Sequence, residues 1–232
     1  MADPEDSGAR LGRKARTAPA LNGATLSEQI HRLLEEAIIH GEITPSSRLH
    51  ADDIAAEYGV SRIPVREALR SLHEAGWVEI KPRHGVYVRA RSMTELRELF
   101  EARSGLEGEI ARLAAERRTP EDVEHLRGAL ERGRAAAESQ DLNGLAQASI
   151  AFNSTLREAC RNRVLAGLST TLEERARFYF AMVEGRLGPD WLTIEQKLLE
   201  KIETGDGEAA AKIARKHISN TGKEVSKLLE AE

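Results

Sequence analysis

Residues 49–88, LHADDIAAEYGVSRIPVREALRSLHEAGWVEIKPRHGVYV, decide the fold of the N-terminal part of this chain. A short helix over about 51–58 ends at Gly59, and Val60-Ser61 makes a tight turn. A second helix follows with Pro64 in its first turn, where the missing N–H costs little. It stops near Ala75-Gly76, and glycine suits the left-handed position past a helix end. Val78, Ile80, Val86, Tyr87 and Val88 then alternate as two short strands around Lys81-Pro82-Arg83-His84-Gly85. Helix, turn, arginine-studded helix and basic-tipped hairpin in that order predict a winged helix-turn-helix, which lays its second helix in the DNA major groove.

At about 100° per residue, Val65, Ala68, Leu69 and Leu72 share one face of that second helix. Ile63, Arg66, Glu67 and Arg70 project from the other. Arg66 and Arg70 are one turn apart, so both can reach along a groove, and Arg62 at the helix start is placed for a base edge or a phosphate. Arginine suits the task because its planar fork can bond guanine O6 and N7 together. Ser61 is a candidate for capping the helix, for contacting phosphate, or for both. In the hairpin, Gly85 permits close backbone approach, and Arg83 and His84 can enter a minor groove or grip phosphates.

Outward from this stretch, apolar positions at Ile30, Leu33, Leu34, Ala37 and Ile38 predict a first helix from Leu26 to Gly41. Residues 1–23 are polar and aperiodic and read as a disordered tail, with Arg10, Arg13, Lys14 and Arg16 solvated in it. The boundaries expected are therefore a tail to 23, a DNA-binding domain over 24–91 and a helical domain over 92–232. In the last, Ser92-x-x-Glu95 and Thr119-Pro120-Glu121-Asp122 open two helices. Others are predicted over about 141–159, 163–185, 189–203 and 207–230. The fold class is mainly α, with three helices and a two-stranded wing followed by a bundle of about six helices.

Charge distribution agrees. The chain carries 34 Lys and Arg against 38 Asp and Glu, a net −4. Residues 61–91, however, hold seven Arg and Lys against three Glu, and phosphate attraction acts within a Debye length of ~8–10 Å. No apolar run approaches the ~20 residues a membrane helix needs, and the N-terminus lacks the apolar core of a signal peptide. The single cysteine, Cys160, allows no intrachain disulfide and is expected to be packed. A cytoplasmic protein is expected.

The segment YGVSRIPVREALRSLHEAGWVEIKPRHGVYV resembles the winged-helix head of the GntR family of bacterial transcription regulators, whose core reads roughly GVSRxPVREALxxLxxxGxV. The likeness spans about residues 24–90. It implies DNA contacts from Ser61, Arg62, Arg66, His84 and Gly85, to which geometry adds Arg70 and Arg83. One departure stands out: some members place a base-reading arginine at the start of the short helix, where this chain has Asp52.

Residues 93–230 resemble the helical ligand-binding domain of the FadR-type subfamily, called FCD, on ELFEARSGLEGEIARLAAERRTPEDVEHLRGAL, AFNSTLREACRNRVL and GDGEAAAKIARKHI. The resemblance implies a pocket for a small organic acid and a homodimer. Many FCD domains hold a divalent metal with one Asp and three His. Aligned here, those positions become Ser149, Asn153, Gln196 and His217, and neutral hydroxyl and amide groups do not replace a carboxylate and imidazoles. No metal cofactor is expected.

Polar residues within apolar stripes point to a ligand instead. Ser149 and Asn153 lie beside Leu142, Leu145, Phe152 and Leu156. Arg103 interrupts Leu96, Leu99, Phe100, Leu106, Ile110 and Leu113, and His217 follows Ala210, Ile213 and Ala214. A buried guanidinium needs an anion. Either Arg103 takes a ligand carboxylate, with Ser149, Asn153, Gln196 and His217 holding the rest, or it pairs with Glu107 one turn away. With no nucleophile–base pair in sight, the reading is a dimeric, ligand-responsive regulator of operator DNA, a repressor rather than an activator. The rival is a constitutive DNA-binding protein whose bundle only dimerises.

Overall fold

The computed structural model describes residues 24–180 and 191–230. The chain divides at Ser92/Met93 into two compact units.

The first unit begins with α1 (Leu26–Ile39), whose N-terminus closes with a reciprocal capping box between Thr25 and Glu28. Strand β1 (Arg48–Leu49), α2 (Ala51–Tyr58), α3 (Arg62–Glu74), β2 (Val78–Lys81) and β3 (Gly85–Val88) follow. Ile30, Leu34, Ala37 and Ile38 of α1 bury against α3, which contributes Val65, Ala68, Leu69 and Leu72. At the α2–α3 turn Gly59 adopts φ 65°, and past α3 Gly76 adopts φ 82°, values that a Cβ would strain. The Trp77 indole donates to Glu35 Oε1 at 2.6 Å, fastening the exit of α3 to α1.

The wing differs from the two-stranded expectation. β1 adds to it, giving a three-stranded antiparallel sheet of order β1-β3-β2, with Arg48 opposite Tyr87 and Glu79 opposite Tyr87 from the other side. A strand of two residues has no periodicity of its own; it exists because β3 has a free edge to pair.

The second unit holds α4 (Met93–Arg117), α5 (Pro120–Glu138), α6 (Leu142–Ala159), α7 (Arg163–Phe180), α8 (Trp191–Thr204) and α9 (Gly207–Glu230). The remainder of the helices expected over 163–185 and 189–203 lies outside the described residues, as does the 1–23 tail. Thr119 and Asp122 form the capping box that opens α5. α4 is the hub, packing against α6, α7, α8 and α9. One apolar core joins Ile110, Leu113, Leu126, Leu130, Phe152, Leu156, Leu198, Leu199 and Ile202. Cys160 is buried, its thiol donating to Arg157 O at 3.0 Å. On α6 the expected stripe is shorter than the sequence suggests: Leu142 in the first turn is 73% exposed.

Candidate functional site

In the first unit the candidate reading surface is α3 and the wing. Ser61, Arg62, Arg66 and Arg70 are exposed, on the face opposite buried Val65, Ala68, Leu69 and Leu72. Ser61 occupies the N-cap position by its backbone, but its side chain makes no capping bond, so the hydroxyl is not committed to the helix. Ile63 is 70% exposed on the same side, an apolar group of the kind that meets a thymine methyl. Arg62 Nε lies 2.8 Å from Asp52 Oδ1, and both side chains are largely in solvent, at 63% and 60% exposure.

The wing turn closes through His84 N–H to Lys81 O at 3.0 Å, with Arg83 in the left-handed region at φ 66°. Arg83 and His84 are exposed at its tip. A Cβ on Gly85 would come within 3.1 Å of Arg48 Nε, so this glycine lets the β1 arginine lie over the hairpin. Arg48 is a basic group at the wing that the sequence reading missed, because only the third strand brings it there. The Lys81 ammonium sits 4.7 Å from the Tyr87 ring centroid, and the Tyr87 hydroxyl donates to His84 O at 3.3 Å.

In the second unit, polar side chains form a seam rather than an isolated residue. On α6, Ser149, Asn153 and Arg157 follow one another at one-turn spacing, and on α7 so do Ser169, Glu173 and Arg177. α4 contributes Arg103 and Glu107, again one turn apart. Arg157 pairs with Glu173 at 2.6 Å, Arg177 with the other Glu173 oxygen at 3.3 Å, and the Ser169 hydroxyl donates to Glu107 at 2.6 Å. Desolvation pushes the Glu173 carboxyl up, but Arg157, Arg177 and Arg103 together outweigh it and hold it below its ordinary value.

Arg103 is 7% exposed, and its Nε has no hydrogen-bond partner. Its guanidinium carbon lies 5.3 Å from the Phe100 ring centroid. Burial pulls its pKa down, against the attraction of Glu107 and Glu173. Glu107 is thus an electrostatic neighbour of Arg103, while its carboxylate accepts the hydrogen bond from Ser169. His217, half-buried on α9, is lowered by burial and by the nearby Arg103, which leaves its imidazole neutral at pH 7.

On α8 the structure places Gln196 and its neighbour Glu195 differently. Gln196 accepts from Arg134 at 2.5 Å and donates to Glu200 at 3.2 Å, bonds on the outer side of the bundle. The inward-facing polar residue is its neighbour Glu195, 3% exposed, with Oε2 unpartnered. Burial and the like charge of Glu107 push this carboxyl up to about 8. The spacing Glu195, Leu198, Leu199, Ile202 carries the signal, since positions i, i+3, i+4 and i+7 share a face.

The donor set does not suit the divalent metal of many FCD domains. Of the aligned positions, Ser149, Asn153 and Gln196 offer only neutral hydroxyl and amide groups, His217 alone is a strong ligand type, and Arg103 adds a cation near His217. Among the described residues no group of three or more His, Cys, Asp and Glu is arranged to hold a metal.

A winged-helix head followed by an all-helical bundle with a buried polar seam defines a two-domain transcription regulator. The family model described as bacterial regulatory proteins, gntR family, matches residues 26–88, and the FCD domain model matches residues 98–220. The chain belongs to the GntR family of bacterial regulatory proteins, in its FCD-bearing branch. It is similar to the HTH-type transcriptional repressor RspR of Escherichia coli K12, with 27% identity over 209 residues, 88% of this chain and 90% of the relative. It is likewise similar to the probable D-xylose utilization operon transcriptional repressor of Paenarthrobacter nicotinovorans, with 28% identity over 204 residues, again 88% and 90%. Among solved structures, a GntR regulator from Rhodococcus sp. RHA1 superposes with TM-score 0.68 at 26% identity, covering 86% of this chain and 96% of that one. E. coli McbR/YncC shares the fold with TM-score 0.72 at 22% identity, over 89% and 99% of the two chains. The protein is a transcription regulator, not an enzyme, and no helix among the described residues is long and apolar enough to cross a membrane.

Proposed function

We propose that the protein is a cytoplasmic, homodimeric repressor whose grip on operator DNA is released by a small carboxylate bound in the helical bundle. Arg62, Arg66 and Arg70 read and hold the major groove. Ser61 takes a phosphate, and Arg83, His84 and the Gly85 backbone meet DNA at the wing. A dimer presents two such heads to half-sites about one DNA turn, ~34 Å, apart.

The observation that carries the ligand reading is the imbalance within the seam. Arg103, Arg157 and Arg177 face the carboxylates of Glu107 and Glu173, while Glu195 is mostly protonated and His217 neutral at pH 7. Among these groups one positive charge is left over. Arg103 Nε and Glu195 Oε2 are both buried without partners, although buried polar groups ordinarily have them. A ligand carboxylate on Arg103, accepting a further hydrogen bond from protonated Glu195, satisfies both, and Ser149, Asn153 and His217 are the polar groups available to the rest of the ligand. Recognition is direct, without a metal bridge.

The test starts with DNA selected from a randomised duplex library by the full chain. A panel of small carboxylates is then titrated into the wild-type complex and the Arg103→Ala complex. Wild type should release DNA with at least one acid, and the variant should bind DNA but no longer respond. Equal release from both refutes the assignment of Arg103. A panel that changes neither DNA affinity nor melting temperature favours the bundle as a dimerisation module alone.

A further inference from the structure

We propose that Asp52 is a specificity-determining residue of the DNA-reading surface, which presets Arg62 for guanine and itself selects the neighbouring base pair. The inference rests on the reading of α3 as the groove-reading helix.

Asp52 lies in the first turn of α2 and Arg62 in the first turn of α3, so the helix-turn-helix geometry brings together two residues ten positions apart. The contact uses Arg62 Nε and Asp52 Oδ1, 2.8 Å apart. A guanidinium presents its donors on two edges. With the Nε side taken by the carboxylate, the two terminal amino groups remain for a paired contact with guanine O6 and N7. The carboxylate also restricts an otherwise mobile, solvent-exposed side chain, so less rotamer freedom is lost when DNA binds.

Asp52 Oδ2 is unused in this contact. A carboxylate accepts hydrogen bonds and cannot donate them. Toward base edges it therefore suits an exposed amino group, cytosine N4 or adenine N6, and is repelled by guanine O6/N7 or thymine O4. A simpler role for Asp52, a negative charge at the α2 N-terminus, is available equally to Asp53 and does not require a partner on α3. An unpaired carboxylate beside groove-reading arginines would only repel phosphates; paired with Arg62, it becomes part of the reading head.

The experiment is selection from a randomised duplex library by the full-length wild type and by Asp52→Ala, Asp52→Asn and Arg62→Ala, followed by competition binding of single-base variants of the best sequence. The wild type should require guanine at one position and an amino-bearing base, chiefly cytosine, at an adjacent pair. Asp52→Ala should keep binding but lose roughly 5- to 100-fold discrimination at that pair, the range expected for one good base contact. Asp52→Asn, which can offer an N–H donor in the same shape, should shift the preference there toward a base presenting an acceptor. Unchanged base preferences in both Asp52 variants, including uniformly tighter binding to all sequences, would overturn the proposal. Failure of the underlying reading looks different: in that case Arg62→Ala also leaves every base preference intact.

Discussion

Replacing Glu195 by Gln should change how the stability of this protein depends on pH. In the folded chain the Glu195 carboxyl is raised from its ordinary 4.5 to about 8, first by burial and then by the like charge of Glu107. In the unfolded chain it titrates at its ordinary value. Between these limits the folded state holds a proton that the unfolded state has already released, so raising the pH favours unfolding. The slope is about 1.4 kcal/mol per pH unit, and over the whole window the loss amounts to about 5 kcal/mol. Above about pH 8 the folded carboxyl ionises too and the penalty stays constant. Set against a total stability of about 5–15 kcal/mol, such a term is large.

The assay is urea denaturation of wild type and Glu195→Gln from pH 5 to 9, at fixed protomer concentration because a dimer's stability depends on it. Glutamine copies the shape of protonated glutamic acid but does not ionise. Its different hydrogen-bonding capacity adds an offset independent of pH, so the slope of the difference is the readout. Groups such as Glu173 and His217 titrate in both proteins and largely cancel in that difference. Wild type should lose ground to the variant by about 1.4 kcal/mol per pH unit through neutrality, with the difference levelling off above pH 8. Parallel profiles would refute the reasoning, since Glu195 would then be ionising as if hydrated.

Two further outcomes follow from the same packing. Glu173→Gln removes the carboxylate shared by Arg157 and Arg177 in a mostly buried site, and urea denaturation at pH 7 should show a loss of about 3–5 kcal/mol; a neutral result would mean that the pair is open to water. Gly222→Ala places a Cβ 2.7 Å from Phe100 Cβ and Cγ, at the α4–α9 contact, and should lower stability by about 1–3 kcal/mol; an unchanged melting temperature would show that the two helices part without cost.

The DNA-reading head was legible because its signals are local. Gly59, Pro64 and Gly76 punctuate the chain, and the burial of Val65, Ala68, Leu69 and Leu72 follows directly from a 3.6-residue period. Strand β1 was not legible, because Arg48-Leu49 becomes a strand only through its pairing with β3. The Asp52–Arg62 contact depends on the angle between two helices, which periodicity does not report. In the bundle, Arg103 was found as a charge within an apolar stripe, whereas Glu195 was passed over in favour of Gln196. The burial of Glu195 follows from the plain apolar spacing of α8, which puts it on one face with Leu198, Leu199 and Ile202. The alternative of Arg103 paired only with Glu107 missed the seam for a different reason. Arg157, Glu173 and Arg177 meet across α6 and α7, and nothing in either helix alone requires it.

If a carboxylate binds Arg103 as proposed, α4 is the helix on which it acts. Apolar residues of similar size would stabilise a bundle interior at least as well as buried ions, which cost several kcal/mol each to desolvate. Holding Arg103 with its Nε unpartnered therefore sacrifices stability in the ligand-free state. A carboxylate that binds there recovers that loss, but it alters DNA affinity only if it does so unequally in two arrangements of the protein. α4 packs against α6, α7, α8 and α9 and is also the element that continues the chain directly from the wing, with only residues 89–92 between β3 and its first turn. A ligand on Arg103 would thus act on the helix that follows the wing in the chain, whereas His217 on α9 and Glu195 on α8 meet that helix only through packing within the bundle. Loss of the DNA response in an α4 variant outside the acid's own contacts, with acid binding retained, would place the coupling on α4.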